Sequence, residues 1–285
     1  MALLLSSLPL LLSATAPRSI RSFSAKRRGP RILLCKAQSS SSKTDAVQVY
    51  NGVYGPWSID STDVREVFLY RAGLVTSAAT FVAVASTAFL PEDNVVKSVI
   101  STYQDLLFSI GAGSLGVSLL LIHIYVTPLK RALQVLWTVG VAGSILVASN
   151  FATPADRGLV EFVVENPAAV WAVGPLFAAL TGLVFKEGLC YGKLEAALLF
   201  FVIPSLLLGH LSGAMDDNVK QGLLAAWMGL FAVFAGRKFT QPIKDDIGDK
   251  SIFMFNALPK SEQEAVLRSR AMQEMQENNT DRSNP

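Results

Sequence analysis

Between Ser61 and Gly236 the chain carries a succession of apolar stretches of about 18 residues or more. Each is long enough to cross a hydrocarbon core of about 30 Å at about 1.5 Å per helical residue. Lipid offers the backbone no hydrogen-bond partner, so such stretches must satisfy their own N–H and C=O groups as helices. Composition agrees: 51% of the 285 residues are hydrophobic and 16% are charged, where globular domains have about a quarter charged. The sequence predicts an all-α membrane protein, a bundle of about six transmembrane helices.

Breakers and charges set the boundaries. The first span reads as Ala72–Leu90, stopped by Pro91 with Glu92 and Asp93, and Asp63 with Glu66 has the spacing of a capping box upstream. The second reads as Leu106–Val126, before Pro128, and the third as Ala132–Ala152. An interfacial stretch, Gly158–Val164, precedes spans at Ala168–Phe185, Ala196–Gly213 and Gln221–Gly236. The transmembrane domain is thus placed at 63–238, after a segment at 37–62 and before a tail at 239–285. In the tail, Ser261 and Glu264 make a second capping box, predicting a short, weakly docked helix through about Gln276. Asn278–Pro285 reads as disordered.

Residues 1–36 are Ser-rich, with seven positive charges and no acid, the composition of an organelle transit peptide. The apolar run Leu3–Leu12 has its basic residues after it, which argues against a secretory signal. Met1-Ala2 and the stretch Ile32–Ala37 resemble a chloroplast transit peptide, so plastid import is preferred to mitochondrial, with cleavage near Cys35–Ala37. Without this segment 18 basic residues face 22 acidic ones, and the mature protein gives no electrostatic case for nucleic acid. Cys190 is then effectively a lone thiol, which excludes an intramolecular disulfide or a paired-cysteine metal site.

Charge asymmetry orients the bundle. Lys130, Arg131, Lys186 and Lys193 lie in the loops after spans two and four, and Arg65, Arg71, Arg237 and Lys238 flank the bundle. The opposite loops hold Lys97, Arg157 and Lys220 among eight acids. The positive-inside rule places the first set, and both termini, in the stroma.

Most apparent motifs fail on context. Gly111, Gly113 and Gly116 complete a GxGxxG pattern, but inside an apolar span and without a preceding strand, so they read as helix-packing positions. Gly140 with Ser144, Ala225 with Gly229, and Ala79 with Ala83 are read the same way. His123 and His210 fall toward opposite ends of the membrane, so one haem cannot take both; either alone remains a distant candidate for a pigment or quinone. Asp, Glu, Lys and Arg are confined to the edges of the spans, which removes the expected parts of an ion-coupled carrier. Pro175 and Pro204 could interrupt their helices as transporters do. Charges crowd the stromal side, Lys186, Glu187, Arg237 and Lys238 among them, and their short segments are read as packing into a polar cap that meets a partner; Arg65, Arg71, Lys193, Asp245, Asp246 and Asp249 are the candidate partner face, set against interfacial anchoring and solvation. No zinc spacing, nucleophile elbow or P-loop occurs.

Three segments, Val64–Gly73, Gly192–Ala196 and Gln241–Ser251, resemble an uncharacterised family of integral membrane proteins shared by cyanobacteria and plant plastids. The likeness extends over about residues 48–256 and implies a multi-pass plastid protein of photosynthetic ancestry, with no active residues to transfer. The expectation is a non-enzymatic accessory or assembly component, without cofactor, beside photosynthetic complexes in the bilayer, with thylakoid preferred to inner envelope. The alternative is a transporter or channel for a small neutral or weakly polar solute.

Overall fold

The computed structural model describes residues 48–282, apart from the side chains of 190–191 and 277–282. The expected transit segment 1–36, its cleavage position and the start of the 37–62 segment lie outside the described residues, as do 283–285. A hairpin of β1 (Val49–Gly52) and β2 (Gly55–Ser58) leads into α1 (Ser61–Ser86). Then follow α2 (Val95–Thr102), α3 (Gln104–Leu121), α4 (Thr127–Val147), α5 (Leu159–Glu165), α6 (Val170–Tyr191), α7 (Leu194–Ser212) and α8 (Asp217–Gly236). Short helices α9 (Ile243–Ile247) and α10 (Lys250–Ala257) precede the terminal α11 (Lys260–Arg282). Six of these, α1, α3, α4, α6, α7 and α8, are long and apolar enough to cross a membrane, as the sequence predicts.

Several boundaries differ from the sequence pattern, each for a local reason. The N-cap of α1 is Asp60, not Asp63: its carboxylate accepts the N–H groups of Thr62 and Asp63 at 2.8 and 2.9 Å. Asp63 completes the box by accepting the Asp60 N–H at 2.9 Å, which leaves Glu66 free of a capping role. Helix α3 stops at Leu121, and Gln134 of α4 donates to the freed Leu119 carbonyl at 3.2 Å. His123 is therefore in a loop and not in a span. Helix α2, capped by Asn94, was not anticipated. Helix α6 runs six residues beyond Phe185 before Gly192, at φ +61°, ends it. Helix α11 likewise continues to Arg282, so residues 278–282 are helical, contrary to the disorder expected there.

The six long helices close into a ring: α1 packs on α3 and α8, α4 on α6, α6 on α7, and α7 on α8, with α3 touching α4 and α6. Lipid tails are as apolar as leucine, so close van der Waals fit, with small residues at crossings, must hold such a ring. A Cβ on Gly140 would lie 2.2 Å from the Leu176 backbone, and one on Gly111 2.5 Å from the Phe81 ring. One on Gly116 would strike Trp137, whose indole N–H donates to the Ala112 carbonyl at 2.8 Å. Ser144 is buried beside Gly140. Gly73 and Gly143, at the α1–α3 and α4–α6 crossings, belong with this set although the sequence did not single them out. Gly113, Ala225 and Gly229 do not: they are exposed, and nothing lies within 4 Å of a Cβ at either glycine. Ala79 is exposed too. Small-residue spacing cannot tell a helix's protein side from its lipid side.

Candidate functional site

At the end of the bundle that carries the hairpin, five chain segments bring charged side chains into one buried cluster. Its centre is Glu187, in the last turns of α6 and 0% exposed. Glu187 Oε1 accepts the Tyr70 hydroxyl at 3.1 Å and faces Lys186 Nζ at 3.3 Å. Its Oε2 accepts Lys193 Nζ at 2.7 Å and Lys238 Nζ at 2.9 Å. Lys238, 2% exposed just past α8, continues to Asp246 Oδ1 at 2.6 Å. It also lies over the Tyr70 ring, 5.1 Å from the centroid. Asp246 in α9 accepts Arg71 Nε at 2.6 Å and Gln241 Nε2 at 3.1 Å, and Arg71 donates further to the Pro242 carbonyl. Gln241 Oε1 closes the circuit by accepting Lys193 at 2.5 Å.

This arrangement follows from chain topology. Arg71 lies in the first half of α1, Lys193 bridges α6 to α7, and Lys238 to Asp246 form the exit from α8, so three separate parts of the chain meet at two carboxylates, Glu187 and Asp246. Burying charge costs several kcal/mol per ion and is tolerated where pairing and hydrogen bonding are complete. Here four cations, Arg71, Lys186, Lys193 and Lys238, surround two carboxylates, Glu187 and Asp246. Burial pushes the Lys193 ammonium below the ordinary lysine value, and the Glu187 charge offsets part of that. Beside the cluster, buried Glu195 lies 3.1 Å from Arg237 Nε.

A second set of contacts clasps the two chain ends outside the cluster. Asp249 Oδ2 accepts the Val53 N–H at 2.6 Å, Ser251 Oγ accepts the Tyr54 N–H at 3.0 Å, and Tyr54 stacks on Phe255 at 3.9 Å. Lys250 donates to Asp60 and Asp63 at 2.8 and 2.7 Å, tying α10 to the cap of α1. A side chain at Gly52 would meet Asp249 and Ser251, so the hairpin tip must be glycine for this clasp to close. Gly248, at φ +77° and against Tyr125, turns the chain between α9 and α10. Desolvation works to raise the Asp249 carboxyl, but hydrogen bonds from Ser251 and Val53 outweigh it and hold the group below its usual value. Lys250 is desolvated too, yet its bonds to Asp60 and Asp63 lift it above the lysine norm.

The sequence-predicted partner face is thus divided. Arg71, Lys193 and Asp246 converge in the buried cluster, so they are internal and not a contact surface. Asp249 belongs to the clasp. Arg65 is exposed and Asp245 half-buried, both outside these contacts. Lys186 and Lys238 are buried and not interfacial anchors, and the hub Glu187 with Lys238 belonged to the wider charged set of the expected cap but not to the partner face. The signal was present: the pair Lys186-Glu187 follows directly on the apolar run of α6.

The histidines do not share a site. His123 packs edge-on against Phe253 and lies 3.5 Å from Glu66; burial pushes it below the ordinary histidine value, with Glu66 acting the other way. His210 Nε2, at the far end of α7, is 3.0 Å from the Val163 carbonyl of α5. Asp105 fixes the start of α5 by accepting the Leu159 and Val160 N–H groups at 2.7 and 3.0 Å. Among the described residues no three His, Cys, Asp or Glu side chains come together as a metal site.

Six apolar helices closed at one end by a charged cap define a multi-pass integral membrane protein. Residues 117–255 match the model of a family described as uncharacterized integral membrane protein (DUF2301), a stretch running from α3 into α10. The match includes Glu187, Lys193, Lys238 and Asp246 and leaves out the hairpin and α1, so it is narrower than the 48–256 likeness read from sequence. No curated protein and no solved structure matches the chain.

Proposed function

We propose that the protein is a non-enzymatic accessory component of membrane complexes in a chloroplast membrane, thylakoid before inner envelope, with its charged cap toward the stroma. The observation that carries this reading is the use made of charge at the cap. Glu187 and Asp246 are saturated by cations from three separate parts of the chain, and the clasp ties residues 49–63 to residues 249–255. The result is a fixed polar platform on a helical ring, suited to holding a partner in register. The basic, acid-free leader supports plastid import, and the cluster of positive charge at the cap supports its stromal side. Transport of a small polar solute is the weaker reading, because Pro175 and Pro204 line a groove whose walls, Thr181 apart, are apolar.

The test is a native-gel profile of separated thylakoid and envelope membranes, after crosslinking, with the tagged chain followed by mass spectrometry. Co-migration with photosynthetic complexes or their assembly intermediates is expected. A partner-free band confined to the envelope would overturn the accessory reading and make solute flux the next measurement.

A further inference from the structure

The buried network of the cap carries more positive charge than its own carboxylates balance. Arg71, Lys186, Lys193 and Lys238 face Glu187 and Asp246, an excess of two cations. Neighbouring carboxylates have cations of their own: Glu195 has Arg237, and Asp63 has Lys250. Burying an ion without its counter-charge costs several kcal/mol, so an excess of this kind calls for an anion.

One corner of the cap, where α4 begins and α6 ends, is built to hold it. The two helices run in opposite directions and pack at Gly182, where a Cβ would lie 2.2 Å from the Leu133 side chain. Lys130 stands one turn before Leu133, and Lys186 one turn after Gly182. Both therefore fall on the cap side of that contact, on the facing sides of their helices. His123 registers the pair: burial lowers it, and the charges of Lys130 and Lys186 add to this against the pull of Glu66. Lys186 is 7% exposed, and the carboxylate beside it, Glu187, is shared with Lys193, Lys238 and the Tyr70 hydroxyl. Lys130 is half-buried and forms no ion pair among the described residues; Glu66, whose charge reaches it, lies 3.5 Å from His123 instead. Leu129 and Phe185, next to the two lysines in sequence, are each 40% exposed and give this corner an apolar flank toward lipid.

We propose that this corner binds an oxyanion of the phosphate class, held between the Lys130 and Lys186 ammonium groups. A phosphate presents several acceptor oxygens at once, so it can take a charge-assisted hydrogen bond from each helix where the nearby carboxylate is already occupied. Its source is the headgroup of an anionic phospholipid, which basic pockets between membrane helices take up, or phosphate free in the aqueous phase. Either one would pin α4 to α6 at the cap.

The full chain, purified in detergent and stripped of lipid, is titrated calorimetrically with dioctanoyl phosphatidylglycerol, dioctanoyl phosphatidylcholine and inorganic phosphate. One phosphatidylglycerol per chain is expected, bound about tenfold or more tightly than the zwitterionic lipid. Lys130→Gln removes one ammonium without touching the Glu187 network and should weaken binding about tenfold, the value of one hydrogen bond to a charged group. Lys186→Gln should weaken it as much; unfolding temperature establishes that each variant is folded, and should Lys186→Gln fail, Lys130→Gln alone decides. Arg157→Gln, at the opposite end of the bundle, should bind as the native chain does. Inorganic phosphate that displaces the lipid identifies a free anion as the ligand, and phosphate without effect identifies the headgroup; both uphold the site. Equal affinity for the two lipids with no binding of phosphate overturns the proposal. Unchanged binding to Lys130→Gln, or an equal loss in Arg157→Gln, overturns it too, since the anion would then not be held between these two lysines.

Discussion

The two ends of the helical ring treat buried polarity in opposite ways. At the cap, Glu187 receives three lysines and a tyrosine hydroxyl within 3.3 Å, and Asp246 receives a lysine, an arginine and an amide. At the far end, α1, α3, α6 and α8 meet through apolar and aromatic side chains, with Phe81 lying 5.7 Å from Phe108 and 5.5 Å from Phe177. The cap must fix two chain ends that no span constrains, and charge can do so only by completing its own shell. The far end faces no such task. Polar saturation therefore marks where this fold is locked by charge, and apolar packing where it is held by fit alone.

The largest effect expected from breaking this contrast is at the hub. Glu187→Gln leaves Lys186, Lys193 and Lys238 buried around a neutral amide and should destabilise the chain by about 3–5 kcal/mol. Thermal unfolding in detergent micelles measures it, and adding Lys238→Met should recover part of the loss. At the other end Trp227→Phe keeps an aromatic ring in the apolar contact, so its cost should stay below about 1.5 kcal/mol in the same assay. Equal costs at the two ends would dissolve the comparison.

Next come the helix crossings. Gly140→Ala pushes a methyl into the Leu176 backbone and should cost about 1–3 kcal/mol. Gly113→Ala points into open space and should be neutral or stabilising by up to about 1 kcal/mol. Unfolding of the two variants side by side separates protein-facing from lipid-facing glycines.

The clasp gives a pH window. Asp249 is held below its usual value, so its contribution is complete above about pH 4 and is lost as pH falls through the lowered value. Lys250 is held above the lysine norm, so its contribution is complete below about pH 10.4 and is lost as pH rises through the raised value. His123 adds an earlier acid loss: its folded value is depressed, so stability is full above about pH 6.5 and declines below it. Hydrogen exchange at the Val53 and Tyr54 amides should show protection inside this window and fraying outside it. The smallest effect is expected at Arg157, exposed and paired with Glu161 and Glu165; Arg157→Ala should leave the unfolding temperature essentially unchanged.

The six spans were legible because a lipid-crossing helix must be long and apolar, and that is a one-dimensional property. Local chemistry was legible in type but not always in place: a capping box was expected at α1, yet Asp60 supplies the cap, one turn before Asp63. The charged segments Val64–Gly73, Gly192–Ala196 and Gln241–Ser251 were visible as a set. That they pack into a polar cap was also expected; which side chains pair inside it was not, because Arg71 and Asp246 are 175 positions apart. Glu187 looked like an interfacial residue because its burial depends on Lys193, Lys238 and Tyr70 arriving from other elements.

The sequence alone determined the class of the protein, its span count and the ends at which charge would gather, since hydropathy and charge add along a chain. Only the tertiary structure decided which charges are buried, which glycines face protein, and that the aromatic rings of α1, α3, α6 and α8 meet at the far end. Those properties belong to pairs of distant residues, and spacing along one helix carries no record of what packs against it.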